Sequence, residues 1–294
     1  MASLEKILPH NVPGDWLVDS TCIDCGTCRQ LAPRVFGEAD GFSFVQAQPS
    51  GEEERSALQA LVSCPTGSIG TRGSNNAKSA MADFPLPIDG DVFYCGFTSP
   101  KSYGGSSYFV RQAAGNWLID SPKFLPQLVR RLEVLGGVSH IFLTHRDDVA
   151  DAAKYADHFQ AERIIHRLEL DSQPAAERVI DGFDAVELAP GFVAIPTPGH
   201  TAGHMALLHA NRYLFTGDHL AWDRDDGRLI AFRDYCWHSW TEQQRSLARL
   251  LEYKFEWVLP GHGQRVHLPA KAMQAAMGKL VEASLRKVGT AHPA

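Results

Sequence analysis

The sequence predicts an α/β protein built in two parts, a small cysteine-bearing α+β domain ahead of a larger domain in which strands and helices alternate. Three observations carry that expectation. Four of the six cysteines fall before residue 70, with one short amphipathic helix among them. From Val92 onward, β-like and helical segments alternate. Four apolar segments of this later region each run straight into a His or an Asp, as strands do when they deliver side chains to one edge of a sheet. A chain of 294 residues is long enough for both parts. The expected boundaries are 1–70 for the small domain, 71–87 for a linker and 88–294 for the large domain.

In chain order, the first helix is expected from Glu52 to Val62, where Ala57, Leu58, Leu61 and Val62 share one face. Residues 71–87 are rich in Ser, Asn, Ala and Pro, a linker composition. About 15 such residues could span roughly 50 Å if extended, which would leave the two domains loosely tethered. Val92 to Tyr94, Ser107 to Arg111 and Trp117 to Ile119 are the opening strands, with Gly104-Gly105 and Gly115-Asn116 as turns. Ser121 and Pro122 fit the N-cap and first position of a helix running toward Gly136, with Pro126 as an internal conflict. Thr241 and Gln244 form a capping box before the apolar face of Leu247, Leu250 and Leu251.

Composition narrows the partners. A net charge of -6 offers no basic field for nucleic acid or anionic lipid. No apolar run reaches the length of about 18 residues that a membrane span needs. Met1 to Trp16 lacks a basic start followed by an apolar core, so no secretory signal is expected. Thiols spaced as metal ligands must stay reduced, which points to a cytoplasmic location.

Cys22, Cys25 and Cys28 stand as C-x2-C-x2-C, and Cys64-Pro65 follows downstream. Three close thiolates wrap three corners of a cubane, and a remote Cys-Pro supplies the fourth. A structural zinc site is the alternative, but it usually pairs two such hooks, and only one hook plus an extra Cys exists here. The arrangement resembles the single-cluster ferredoxins over roughly residues 14–70. After Cys28 the chain reads Arg29-Gln30-Leu31-Ala32-Pro33, which leaves no ligands for a second cluster. The resemblance implies one 4Fe-4S cluster. Cys95 and Cys236 are expected as small buried apolar residues.

The four strand-end segments are Ile141-Phe142-Leu143-Thr144 before His145, Phe192 to Pro198 before Gly199-His200-Thr201, Tyr213 to Thr216 before Gly217-Asp218, and Trp257-Val258-Leu259 before Pro260-Gly261-His262-Gly263. Imidazoles and carboxylates gathered at one edge suit a hard or borderline divalent metal. The order resembles the metallo-β-lactamase superfamily over roughly residues 90–265, which implies an αββα sandwich with one or two metal ions between its sheets. The first family motif, T-H-x-H-x-D-H, keeps only His145, and Asp147 stands in place of the second His. A shifted register offers Asp151 or Asp148 as the acid.

By that mapping, one ion has His145, Asp147 and His200, bridged by Asp218. The second has His262, Asp218 and a carboxylate from Asp148 or Asp151. Oxygen-rich ligation favours iron or manganese over zinc. Asp218 and Asp151 are the candidate catalytic carboxylates. A degenerate site that binds no metal is the alternative. Asp120, His204 and His219 are equally readable as structural groups, and the segment Tyr235 to Trp240 as a pocket wall or as core. The whole run, from Pro9-His10-Asn11-Val12-Pro13-Gly14-Asp15 to His262, resembles bacterial and plastid proteins that fuse a ferredoxin-like domain to a metallo-β-lactamase domain.

Three functions compete. The first is a hydrolase of a small-molecule thioester, lactone or related ester, with a metal-activated water. The second is an iron-dependent redox enzyme fed by the cluster and by a redox partner protein, since hydrolysis alone needs no electrons. The third is a non-enzymatic redox sensor or adaptor. A fold shared by many chemistries does not choose among them.

Overall fold

The computed structural model describes residues 2–286, which divide into two compact units. The first holds residues up to 141 together with 147–163, and the second holds 142–146 and the chain from 164 onward. Among the described residues, no helix is long and apolar enough to cross a membrane.

The first unit opens with the cysteine-bearing region. Strand Trp16–Val18 pairs antiparallel with Ile69–Thr71, so the region closes on its own ends. The hairpin of Phe36–Ala39 and Phe42–Val45 and the helices Thr27–Leu31 and Glu52–Ser63 enclose a core of Trp16, Val18, Val35, Phe36, Val45, Ala57, Ala60 and Ile69. Helix Glu52–Ser63 starts where the periodicity places it, and three glutamates in its first turn complement the positive end of the helix dipole. Asn11 is the clamp of this region. Its side-chain amide donates to the carbonyls of Leu8 (2.8 Å) and Val18 (2.7 Å), and its oxygen accepts from the amides of Val18 and Val45.

Residues 71–87 are not a loose linker. They carry a short helix Ala77–Ala80, a 3-10 turn Met81–Asp83 and the strand Leu86–Asp89. Asp83 receives Arg55 through Nε (2.7 Å) and Nη2 (2.5 Å), and Gln59 through Nε2 (2.7 Å). Phe84 beside it is fully buried. Arg55 and Gln59 are four residues apart and so lie on the same helix face. A single carboxylate anchored on that face orders a segment whose composition looks unstructured.

Strands Leu86–Asp89, Val92–Tyr94, Tyr108–Val110 and Trp117–Ile119 then pair antiparallel in succession. The helix expected from Ser121 begins instead at Pro126 and runs to Val134, with extended Leu125 as its N-cap. Proline at the first position needs no hydrogen-bond donor there. Ser121 and Lys123 are committed elsewhere, their amides donating to the carbonyls of Asp148 (3.3 Å) and Phe97 (2.9 Å).

The second unit is built on a six-stranded sheet ordered Val186–Ala189, Phe192–Pro196, Met205–His209, Tyr213–Gly217, Trp257–Pro260 and Val266–His267. Its two central strands, Met205–His209 and Tyr213–Gly217, are buried throughout. Helices Trp240–Leu250 and Ala270–Arg286 cover one side with Leu247, Leu250, Met273, Met277, Leu280 and Val281. The first of these helices is capped by Ser239, whose hydroxyl accepts from the Glu242 amide at 3.3 Å, rather than by Thr241 and Gln244.

Candidate functional site

The cysteine site lies in the first unit. Cys22, Cys25, Cys28 and Cys64 line one cavity together with Thr27, Ser43 and Pro65, and all four are free thiols. Gly26, at φ 74°, turns the chain from Cys25 into the helix that carries Cys28, a conformation that suits glycine. The sulfur of Cys22 accepts from the amides of Asp24 and Ser43, both at 3.4 Å. Burial pushes the Cys28 thiol up to about 12, against a hydrogen bond to Ser43 and the Arg29 charge. Burial likewise raises Cys25 above its ordinary value, opposed by hydrogen bonds to Thr27. Buried thiols reluctant to ionise alone, beside a Cys22 sulfur met by two N–H donors, fit thiolates whose charge iron would neutralise.

Four residues of the second predicted group, His145, His200, Asp218 and His262, lie in the second unit, and sheet topology brings them together. Tyr213–Gly217 runs parallel to Trp257–Pro260, with Gly217 opposite Pro260, so Asp218 and His262 leave the sheet at the same edge. The antiparallel pairing of Met205–His209 with both neighbours puts the 197–204 turn, and hence His200, at that edge too. Thr144 is tied there by the Met205 amide, which donates to its carbonyl at 2.8 Å, and His145 follows.

The resulting geometry is tight. Nε2 of His145 and Nε2 of His200 each lie 3.7 Å from the same Asp218 oxygen, Oδ2. Nδ1 of His262 meets Oδ1 and Oδ2 of Asp218 at 2.8 and 2.9 Å, and its amide donates to Oδ1 at 3.0 Å. Burial alone would raise the Asp218 carboxyl, but His262, His145 and His200 around it hold it far below the usual carboxylate range. Three imidazoles around one carboxylate, with His145 and His200 buried, are a donor set that fits a borderline divalent cation.

His204 and His219 extend this cluster. Their ring centroids are 5.5 Å apart, and that of His204 is 5.2 Å from His145. Nδ1 of His204 pairs with the Thr197 hydroxyl at 2.8 Å. Nε2 of His204 and both ring nitrogens of His219 are buried and have no hydrogen-bond partner among the described residues. Burial pushes His204 well below its ordinary value and His219 down to about 3, with neighbouring imidazoles adding to both shifts. Both rings are therefore neutral at physiological pH. Gly217, at φ 47°, leaves room for His204, since a Cβ there would lie 2.6 Å from its Nε2. The spacing of His200 and His204 and the pair Asp218-His219 were the available sequence signal, but a lone His usually has a structural role.

The altered first motif divides into three fates. Asp147 and Asp148 lie in the 3-10 turn Arg146–Asp148 of the chain directly after His145, and Asp147 is exposed while Asp148 is buried. Asp151, read from the motif as a ligand and catalytic carboxylate, is engaged by three donors. It accepts from Lys101 Nζ (2.8 Å), Lys154 Nζ (3.1 Å) and the Phe124 amide (3.0 Å). Its burial opposes ionisation, but these donors bring its carboxyl down to about 2. Asp151→Asn is expected to leave divalent-metal content unchanged and to cost about 1–2 kcal/mol in urea unfolding at neutral pH, because both lysines are exposed and screened. A depressed carboxylate stabilises above its unfolded value of about 4, and that stability is lost as pH falls through about 2, where variant and wild type should converge. Loss of metal in this variant would show Asp151 to be a ligand.

Asp120 ends strand Trp117–Ile119 at φ 54° and is buried. Cys95 is fully buried, as expected, and Cys236 is half-buried with its Sγ against the Gly199 carbonyl at 3.1 Å. The Tyr235 to Trp240 segment is not core. Tyr235 and Trp237 are 60% and 64% exposed. The amides of Trp237 and His238 donate to the His200 carbonyl at 2.9 and 3.1 Å, so this loop is fastened to the turn that carries a metal-site imidazole.

Comparison with known proteins matches a family to each of the two regions. A family model described as the 4Fe-4S single cluster domain of Ferredoxin I matches residues 18–71, and one described as the metallo-beta-lactamase superfamily matches residues 103–262. A hydroxyacylglutathione hydrolase of Salmonella arizonae is 32% identical over 104 residues, 35% of this chain and 36% of that protein. The chain thus matches about a third of that relative's length. Among solved structures, the DIM-1 metallo-beta-lactamase exposed to ceftazidime aligns at 18% identity and a TM-score of 0.50, covering 67% of this chain and 95% of that one. ETHE1 from Myxococcus xanthus aligns at 22% identity and a TM-score of 0.47, covering 68% and 93%. The DIM-1 likeness is one of fold, and it agrees with the α/β class expected for the larger domain.

Proposed function

The chain belongs to the metallo-beta-lactamase superfamily and carries a single-cluster ferredoxin-like domain ahead of that region, and on this premise we propose that it is a metal-dependent hydrolase of thioesters or related esters with an associated 4Fe-4S cluster. The observation that carries the reading is the meeting of His145, His200 and His262 on the single carboxylate of Asp218. A hydroxyacylglutathione is a thioester, and the partial likeness to a hydrolase of that name supports this substrate class.

His145, His200 and Asp218 would hold one divalent ion, and His262 with Asp218 a second. Asp147 and Asp148 are the carboxylates of the altered motif, and oxygen donors favour iron or manganese over zinc. The ion supplies a Lewis acid for the carbonyl and brings the pKa of a water toward neutrality. Asp218 stays anionic at physiological pH and keeps the N–H of His262 directed at itself. His204 and His219 stay neutral, so they add no charge that would repel a cation. Trp237 and Tyr235, exposed and fastened beside His200, offer an aromatic wall for the acyl or thiol portion of the substrate.

Protein purified anaerobically and loaded with Fe2+, Mn2+ or Zn2+ is expected to release thiol from a hydroxyacyl thioester, with chelation abolishing turnover. Trp237→Ala should raise KM several-fold while leaving kcat nearly unchanged. Absence of turnover of thioesters, esters and lactones with all three ions rules the proposal out.

A further inference from the structure

We infer that Glu169 is a positioning residue for the divalent ion, its one buried carboxylate tying the backbone beside His145 to the turn that carries His200. The inference rests on the reading above, in which His145, His200 and Asp218 hold an ion.

Three N–H donors from two separate stretches of chain converge on this side chain. Its Oε2 accepts from the Arg146 amide at 3.3 Å and from Arg146 Nε at 2.9 Å, directly after His145. Its Oε1 accepts at 2.6 Å from the amide of Gly203, which lies between His200 and His204. Only a carboxylate offers an acceptor on both arms, and an amide of the same size would turn an NH2 group toward one set of donors. Glu169 is 1% exposed, so a donor facing that NH2 group would be left buried and unsatisfied.

Glu169 is itself held in place. It lies in the 3-10 turn Arg167–Ser172, capped by His166. Nε2 of His166 faces the Gly182 carbonyl at 2.9 Å. A carbonyl only accepts, so Nε2 carries the proton and Nδ1 accepts from the Leu168 amide at 3.2 Å. The Ser172 hydroxyl donates to the Glu169 carbonyl at 2.7 Å. Gly203 is glycine for lack of space at this joint. A Cβ on it would lie 2.7 Å from Nδ1 of His166, and 2.8 and 3.0 Å from Cγ and Oε1 of Glu169.

The joint completes a frame around His145. On one side of this residue the Met205 amide donates to the Thr144 carbonyl at 2.8 Å, and on the other Glu169 holds Arg146. The turn carrying His200 is closed by the Thr197 amide, which donates to the His204 carbonyl at 2.8 Å, and is fixed to Glu169 through Gly203. Fixing both segments sets the two Nε2 atoms at 3.7 Å from one Asp218 oxygen before any ion arrives. Releasing either arm lets the rings part, and the ion then meets a looser donor set. Arg146 also pairs with Asp171, so its guanidinium keeps a partner when Glu169 is made neutral, and the fold is expected to survive.

The test is an Mn2+ titration of the anaerobic full-length protein, with free Mn2+ read by its electron paramagnetic resonance signal. Glu169→Gln should raise the Kd for Mn2+ by about 10–100-fold. The visible bands of the Co2+-loaded variant should shift, as displaced imidazoles require. Met277→Ala, which hollows the core of the same unit, should lower the unfolding midpoint yet leave Mn2+ affinity unchanged, so lost stability alone does not mimic the effect. Should Glu169→Gln fail to fold, Gly203→Ala takes its place, since its methyl displaces the carboxylate and should weaken Mn2+ binding similarly. A folded variant with the wild-type Mn2+ affinity or the wild-type Co2+ bands overturns the role of Glu169. A wild type that binds no divalent ion overturns the reading beneath it instead.

Discussion

Replacing His200 by Ala is expected to abolish divalent-ion binding in the second unit and to lower kcat/KM by at least about 100-fold, while the cysteine site keeps its iron. His200 is buried, and its Nε2 faces an Asp218 oxygen already shared with His145, so an alanine leaves a gap in the donor set. The turn itself should survive. The amides of Trp237 and His238 donate to the His200 carbonyl, and the Ser246 hydroxyl donates to the Pro198 carbonyl at 2.7 Å. Metal analysis of the purified variant, with circular dichroism as the control for folding, decides the matter. Full metal content in His200→Ala would remove this residue from the site.

The second large effect concerns Cys28. Wild-type protein should carry about four iron and four sulfide per chain, and Cys28→Ser should carry none. Cluster binding is expected to contribute to folding of the region, so the variant should lose protease protection between Trp16 and Thr71. Cys95→Ser is the matched control. Cys95 is also fully buried and also pushed up to about 12, yet it lies outside the cysteine cavity, so its replacement should leave iron and sulfide unchanged. Stoichiometric zinc without labile sulfide in the wild type would reject the cluster.

The legible parts of the chain were those whose information is local. Val92–Tyr94 and Trp117–Ile119 are strands with the expected bounds, because short apolar runs between turn residues leave few alternatives. His145, His200, Asp218 and His262 were singled out because each follows such a run, and parallel pairing of Tyr213–Gly217 with Trp257–Pro260 puts two of them at one edge. The C-x2-C-x2-C spacing was legible for the same reason. Close ligands on one short segment need little help from the rest of the fold.

What sequence alone decided about this protein is therefore its two-part α/β plan, its thiol set and the residue types at the sheet edge. Only the folded chain decides which polar groups are already taken. Asp151 reads as a lone carboxylate in sequence, and the fold supplies it with Lys101, Lys154 and the Phe124 amide. His204 and His219 read as structural until burial makes them neutral members of an imidazole cluster. Residues 71–87 read as a tether until Arg55 and Gln59 meet Asp83. The common cause is that a charge or a hydrogen-bond donor acts through partners distant in sequence, and burial multiplies the effect of whichever partner the fold supplies.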